Sequence, residues 1–205
     1  MHKMIVDNTT LEMHDGVWFP ADCGKKWKAS VTRTHGLHAV IDICKAKNRL
    51  RTAVQAGGSM GIWPRELANY FQKVYTFEPE PMSFACLCKN VEAENVIALP
   101  WAVGMNRKMV SVKRKSLTSH HIVEGRDVGQ ILIDDLELEY CDALLLDVEG
   151  MELEALQGAS LTIENNRPVI LVEALHNIDG IEYFLQDFGY RLSARVRTDR
   201  IYEAD

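Results

Sequence analysis

Apolar and polar positions recur along this chain with two different periods. "TTLEMHDGVWFP" sets Asp15-Gly16 between two short strand-like runs, which predicts a hairpin. From about Lys28 to Lys47, Leu37, Val40, Ile41 and Cys44 fall at helical spacing, with Gly36 weakening that helix. Beyond Arg51, short apolar runs alternate with amphipathic ones. "TAVQA", "VYTFE", "VIALPWAV", "ALLLDV" and "PVILVEAL" read as strands, and "MVSVKRK" as a further extended piece. "PRELANYFQ", with Pro64 in its first turn, and "PMSFACLCKNVEAE" read as helices. So does "MELEALQGASLTIENN", with Leu153, Leu156, Ser160 and Ile163 on one face. "IDGIEYFLQDFGY" puts Ile178, Ile181, Leu185 and Phe188 in register, and "RLSARVRT" with "RIYEAD" closes as an antiparallel hairpin.

Strands that are apolar throughout are buried on both faces, and their alternation with helices implies a parallel sheet covered on both sides. The expectation is an α/β fold: a doubly wound, mostly parallel seven-stranded sheet with helices on both faces and an antiparallel C-terminal hairpin. Residues 1–50 read as an N-terminal hairpin and helix forming a cap or extension, and 51–205 as the main domain. Such sheets place ligands beyond the C-terminal ends of their strands. The places to look are just after Ala56, Phe77, Val103, Leu146 and Glu173.

Composition narrows the function classes. The 205 residues suit one domain, and 47% apolar content is enough for a sizeable core. A net charge of −6 argues against nucleic acid or an anionic membrane as partner, since both attract a basic field. No run approaches the ~18 apolar residues of a membrane span, and "MHKMIVDNTTLEMHDG" lacks the pattern of a signal peptide. Cys23, Cys44, Cys86, Cys88 and Cys141 are odd in number and lie in apolar surroundings, as reduced thiols in a cytoplasm do. Cys86 and Cys88 have no second pair to complete a zinc site, and no metal is expected.

"AVQAGGSMGIWP" carries the first chemistry. Glycines after a strand let the backbone turn tightly and approach a ligand closely. A phosphate loop would need Lys-Ser/Thr after its last glycine, and Gly61 is followed by Ile62-Trp63. Against the dinucleotide pattern the chain is a near miss, with Ala56 where the first glycine belongs. "VYTFEPEP" then supplies Glu78, 21 residues after Gly57 and at the tip of the second strand. An acid there can accept both hydroxyls of a ribose. The ligand is therefore expected to be a nucleoside.

Six segments, "VQAGGSMGIW", "VYTFEPEP", "NVIALPWAVG", "ILIDDL", "ALLLDVEGMELEALQGA" and "PVILVE", resemble in order and spacing the motifs of the FkbM family, class I methyltransferases that use S-adenosylmethionine. The resemblance covers roughly Thr52 to His176. It implies a Rossmann-like methyltransferase fold with S-adenosylmethionine as cofactor. Gln55, Gly57, Gly58, Ser59 and Gly61 would lie at the amino acid tail and ribose, Glu78 at the ribose, and Pro79 at the turn beyond it. Trp101 and Ala102 would wall the adenine, Trp101 by stacking on the ring or by filling the core. Where the family usually has an aspartate two residues before the first glycine, this chain has Gln55. That keeps an acceptor and loses a charge, and hydrogen bonds to charged groups are the stronger kind by about twofold.

Asp147 ends an apolar strand and projects into the expected cleft; Glu149 follows, at a helix start that favours acids. Glu173 ends "PVILVE", with His176 three residues on. Asp147, Glu173 and His176 are the candidate bases for an acceptor hydroxyl, and Asp147 also borders the cofactor. His120 and His121 lie in a polar segment that reads as an exposed loop or as a cover over the substrate, and Asp134 and Asp135 read as chain-turning caps. Arg107, Lys108, Lys113, Arg114 and Lys115 read as the solvated edge of a sheet, the alternative being a surface that meets a phosphorylated or acidic acceptor. By resemblance the acceptor is a hydroxyl on a sugar, a glycan or another small polyhydroxylated molecule. The alternatives are an NAD-dependent oxidoreductase of Rossmann type and a catalytically inactive nucleoside-binding homologue.

Overall fold

A computed structural model of the chain describes residues 3–6, 9–21, 34–114, 120–173 and 176–205. Cys23, Lys115 and the stretch of the expected first helix up to 33 lie outside them. The first element is a three-stranded antiparallel sheet, β1 (Lys3–Val6), β2 (Thr9–His14) and β3 (Val17–Pro20). The expected hairpin is its β2–β3 turn: Asp15 and Gly16 both take positive φ, as the twist-matched two-residue turn requires. Helix α1 (His35–Ala46) follows and buries Leu37, Val40, Ile41 and Cys44.

The next strands and helices alternate: β4 (Thr52–Ala56), α2 (Ile62–Leu67), β5 (Lys73–Phe77), α3 (Pro81–Asn90) and β6 (Val96–Leu99). A short β7 (Ala102–Val103) then leaves the main sheet for β8 (Lys108–Arg114), β9 (His120–Glu124) and β10 (Val128–Ile131). A 3-10 turn at Ile133–Leu136 leads to β11 (Ala143–Leu146), α4 (Glu152–Gln157), α5 (Ser160–Asn166), β12 (Val169–Glu173), α6 (Ile178–Asp187), β13 (Tyr190–Val196) and β14 (Asp199–Ala204).

The main sheet has seven strands in the order β13-β14-β12-β11-β4-β5-β6. The five from β12 to β6 are parallel, and the C-terminal hairpin joins antiparallel beside β12. Successive side chains alternate between two cores. Ala53, Ala143, Leu145 and Leu171 meet α1 together with Leu67 and Phe71. Val54, Ala56, Leu144, Leu146 and Ile170 meet Ala155, Leu156, Ile163, Ile181 and Leu185 of α4 to α6. Cys44, Cys86 and Cys141 are buried and form no disulfide, while Cys88 is exposed. Among the described residues no helix is long and apolar enough to cross a membrane.

Several expected elements break where tertiary contacts intervene. "VIALPWAV" divides at Pro100 into β6 and β7, which belong to different sheets. The single helix expected over Met151–Asn166 is two, because the chain bends at Gly158, where a Cβ would overlap the Gly104 carbonyl oxygen. Helix α3 stops at Asn90, whose side chain holds the carbonyls of Trp18 (2.9 Å) and Met60 (2.8 Å). α2 ends at Leu67 rather than Gln72. The histidine segment, expected as an exposed loop, supplies β9. The basic run is not an edge, since β8 lies between β10 and β9; Arg107 pairs with Asp135, and Lys108 and Lys113 face solvent. Asp134 caps α5, accepting from Thr162 N at 2.8 Å and from Leu161 N at 3.0 Å.

Candidate functional site

The glycine loop crosses the C-terminal edge of the sheet between β4 and α2. Gly57 N and Gly58 N both donate to Phe77 O, at 3.0 and 2.8 Å, which ties the loop to β5. Gly57 has φ +89°, and a Cβ there would overlap the Asp147 carbonyl oxygen. A Cβ on Gly58 would press on Leu87 and Thr76. The neighbouring strand and the core thus forbid side chains here before any ligand does, and the same bare backbone floors a cavity. Gly61 does not line that cavity. It stands at the N-terminus of α2 in the left-handed region and lets that helix close on Leu87 and Val91.

Glu78 points under the loop and is buried. One oxygen accepts from Ser59 N at 2.7 Å, the other from Glu80 N at 2.8 Å. Burial pushes its carboxyl up to about 7, against those two backbone bonds and with Glu80 adding repulsion. Gln55 requires a correction. Its amide donates to Gly57 O at 2.7 Å and its carbonyl accepts from the Thr76 hydroxyl at 2.6 Å. Both polar ends are engaged beneath the loop and the residue does not line the cavity, so it braces the loop.

Across the cavity, β11 ends and Asp147 follows. The turn that presents it is organised by Glu152, a buried acid that accepts from Val148 N and Gly150 N, both at 3.1 Å. This role was not evident from the sequence; an acid two residues after a glycine at a helix start is its only trace. Parallel pairing of Leu146 with Val172 sets Asp147 beside Glu173. Burial, then the Glu173 charge, holds the Asp147 carboxyl well above the ordinary carboxylate range. Thr198 donates to Glu173 Oε1 at 3.2 Å.

The cavity between these two ends has a volume of about 430 Å³, within the ~300–1,000 Å³ usual for small-molecule sites. Gly57, Gly58, Ser59, Glu78 and Pro79 line one end. Asp147, Glu149 and Glu173 line the other, with Arg197, Thr198 and Asp199 from the β13–β14 turn, a contribution the sequence did not reveal. The small sheet walls the side through Ala102, Val112, His120 and Ile122, with the half-exposed Trp101. His176 lies outside this lining: it is exposed and sits against Gly150, just before α6 starts. Among the described residues no cluster has the spacing of a metal site.

A bare backbone floor beside a buried acid, with carboxylates opposite, fits a nucleoside that carries positive charge. Residues 64–192, well over half of the chain, match the family model described as the methyltransferase FkbM domain. The chain belongs to the FkbM methyltransferase family. The methyl donor of that family is S-adenosylmethionine, one of the nucleoside ligands that the loop left open. No curated protein matches the chain. Among solved structures it is similar to the FkbM methyltransferase of Methylobacillus flagellatus KT, with TM-score 0.56 and 17% identity over 75% of this chain. The chain spans 43% of that protein's length. It is also similar to magnesium protoporphyrin IX methyltransferase of Synechocystis PCC 6803, solved with bound S-adenosylmethionine (TM-score 0.52, 12% identity, 91% of this chain and 87% of that one). A third similar structure is a putative RNA methyltransferase of Pyrococcus horikoshii (TM-score 0.50, 10% identity, 81% and 80%). At these identities the likeness is one of fold.

Proposed function

We propose that this FkbM-family protein transfers a methyl group from S-adenosylmethionine to a hydroxyl of a sugar, a glycan or another small polyhydroxylated molecule. The observation that carries the reading is one cavity with two unlike ends: a bare glycine floor with Glu78, and a carboxyl pair with no cation paired to it among the described residues. The bound cofactor supplies an electrophilic methyl on a positively charged sulfur.

The chain's own residues do the rest. Gly57, Gly58 and Ser59 offer close backbone contact, and Glu78 offers two oxygens to vicinal hydroxyls in place of its present backbone partners. Trp101 and Ala102 bound the remaining side with Pro79. Asp147 and Glu173 accept hydrogen bonds from acceptor hydroxyls and take the proton that the nucleophilic oxygen must lose. The closed end of the cavity holds donor and acceptor in line and keeps water out. The acids at the mouth repel a phosphodiester backbone, which favours a small or glycan acceptor over a nucleic acid.

The test is incubation with isotope-labelled S-adenosylmethionine and a panel of glycosides, polyols and RNA, followed by mass spectrometry of the products. A methyl ether is the expected product. Glu173→Gln should lower kcat by about 10²–10⁴-fold, the usual worth of a positioned base. Methylation of RNA bases, or tight donor binding with no transfer to any acceptor, would replace this reading.

A further inference from the structure

Three carboxylates stand in a row on the C-terminal edge of the main sheet. Asp147 and Glu173 follow paired residues of β11 and β12, and antiparallel pairing sets Asp199 of β14 opposite Glu173. Asp147 and Glu173 stand side by side at the cavity, and burial with the Glu173 charge holds the Asp147 carboxyl well above its ordinary range, toward its protonated form. Asp199 lines the same cavity, and its carboxylate presses on Gly36 in the first turn of α1, where a Cβ would overlap it. The glycine that weakens the helix is thus the one that admits the third acid.

The groups around the row do not neutralise it. Glu149 and Glu152 approach from the start of α4 and add negative charge, though Glu152 is occupied by backbone N–H groups. The turn contributes Arg197, exposed, and Thr198, which bonds Glu173. Arg200, next along β14, is paired with Glu182 of α6. His120 lines the cavity from β9, and His176 sits against Gly150 outside the lining. On α1, His38 is paired with Glu66. Gly57 packs directly on the Asp147 backbone, so a ligand resting on the glycine floor lies next to the row.

We propose that Asp147, Glu173 and Asp199 form one proton store, which empties as a cationic methyl donor binds and refills with the proton of the acceptor hydroxyl. This rests on the O-methylation reading and deepens it. In the balance of the reaction, the acceptor O–H bond breaks and an O–CH₃ bond forms. The electron pair of the old methyl bond stays on sulfur, and one proton passes to the row. The positive charge that kept the row ionised disappears in the same event, so the row is most basic when it must take a proton. Burial and the Glu173 charge raise the Asp199 carboxyl to about 6, which places its part of the exchange near neutral pH.

The test compares S-adenosylmethionine with S-adenosylhomocysteine, which lacks the sulfonium charge, by calorimetry in buffers of different ionisation enthalpy. Near pH 6 the charged ligand should release close to one proton more than the neutral one. The ratio of their affinities should then rise by up to about tenfold per pH unit. Any proton that Glu78 gives up is common to both ligands and cancels in the difference. Asp199→Asn should at least halve the difference in released protons while leaving S-adenosylhomocysteine affinity within about twofold. Equal proton release by the two ligands in the unmodified protein would overturn the proposal without using any variant. So would an Asp199→Asn protein with the unmodified proton count. If that result came with a methyl ether product, the proton store would fall and the O-methylation reading would stand. Failure of either ligand to bind would overturn both.

Discussion

Asp142 and Asp147 flank the two ends of β11 and are treated in opposite ways. Asp142 is fully buried at the N-terminal edge of the sheet. It accepts from Arg51 N at 2.7 Å, from Arg49 Nε at 3.1 Å and from Arg51 Nη2 at 2.9 Å. Arg49 reaches on to the carbonyls of Asn166 and Arg167, at 2.5 and 2.6 Å. Burial alone would raise the Asp142 carboxyl; hydrogen bonds from Arg51 and Arg49 outweigh it and hold it below the ordinary range. Asp147, at the other end of four apolar residues, faces Glu173 and is pushed up instead. A carboxylate that only holds the fold together is given its countercharge by the protein. Asp147, which we propose faces a charged ligand, has no such countercharge among the described residues, at a cost in stability.

The contrast breaks first at Asp142. Asp142→Ala should cost about 3–5 kcal/mol, because it strands two guanidinium groups at a buried junction. The half-exposed Arg51 argues for the lower end, and urea denaturation reads the loss. A second effect separates the two ends by pH. Groups raised in the folded state favour folding below their ordinary values, and that advantage is lost as pH rises through the raised ones. For Glu78 the window runs from 4.5 to about 7. The free protein should therefore lose roughly 2–3 kcal/mol across it, seen as a falling Tm, and Glu78→Gln should flatten the profile. If Tm rises over that interval instead, the acids of the cavity are not held as described.

Glu78→Ala should weaken S-adenosylmethionine by about 10–100-fold, the worth of one to two hydrogen bonds to a charged group. Unchanged affinity in a titration would remove Glu78 from the cofactor site. The smallest expected effect has the opposite sign. Asp147→Asn should stabilise the free protein by about 1 kcal/mol at neutral pH by relieving repulsion in the row, while lowering activity. Destabilisation there would make Asp147 a second Asp142 and erase the distinction.

Much of the fold was legible because it rests on local chemistry. The apolar run from Ala143 to Leu146 and the periodic faces of α1 and α6 needed no partner to be recognised. Gly57 and Glu78 were legible as a pair because strand and loop lengths in such sheets are regular. Gln55 was misplaced because its neighbours in sequence do not show that Thr76 and Gly57 take up its polar atoms. The division of the helix at Gly158 depended on Gly104, more than fifty residues away.

By itself the sequence determined the order of strands and helices, the glycine turn with its acid, and the family, since each depends on residue types at short or regular separations. Only the tertiary structure decided which acids meet. Asp199 joins Asp147 and Glu173 through sheet pairing of β14 with β12, and no spacing in the chain encodes that contact. The proposed proton store rests on that contact, because repulsion between carboxylates depends on distance in space and burial rather than on separation along the chain.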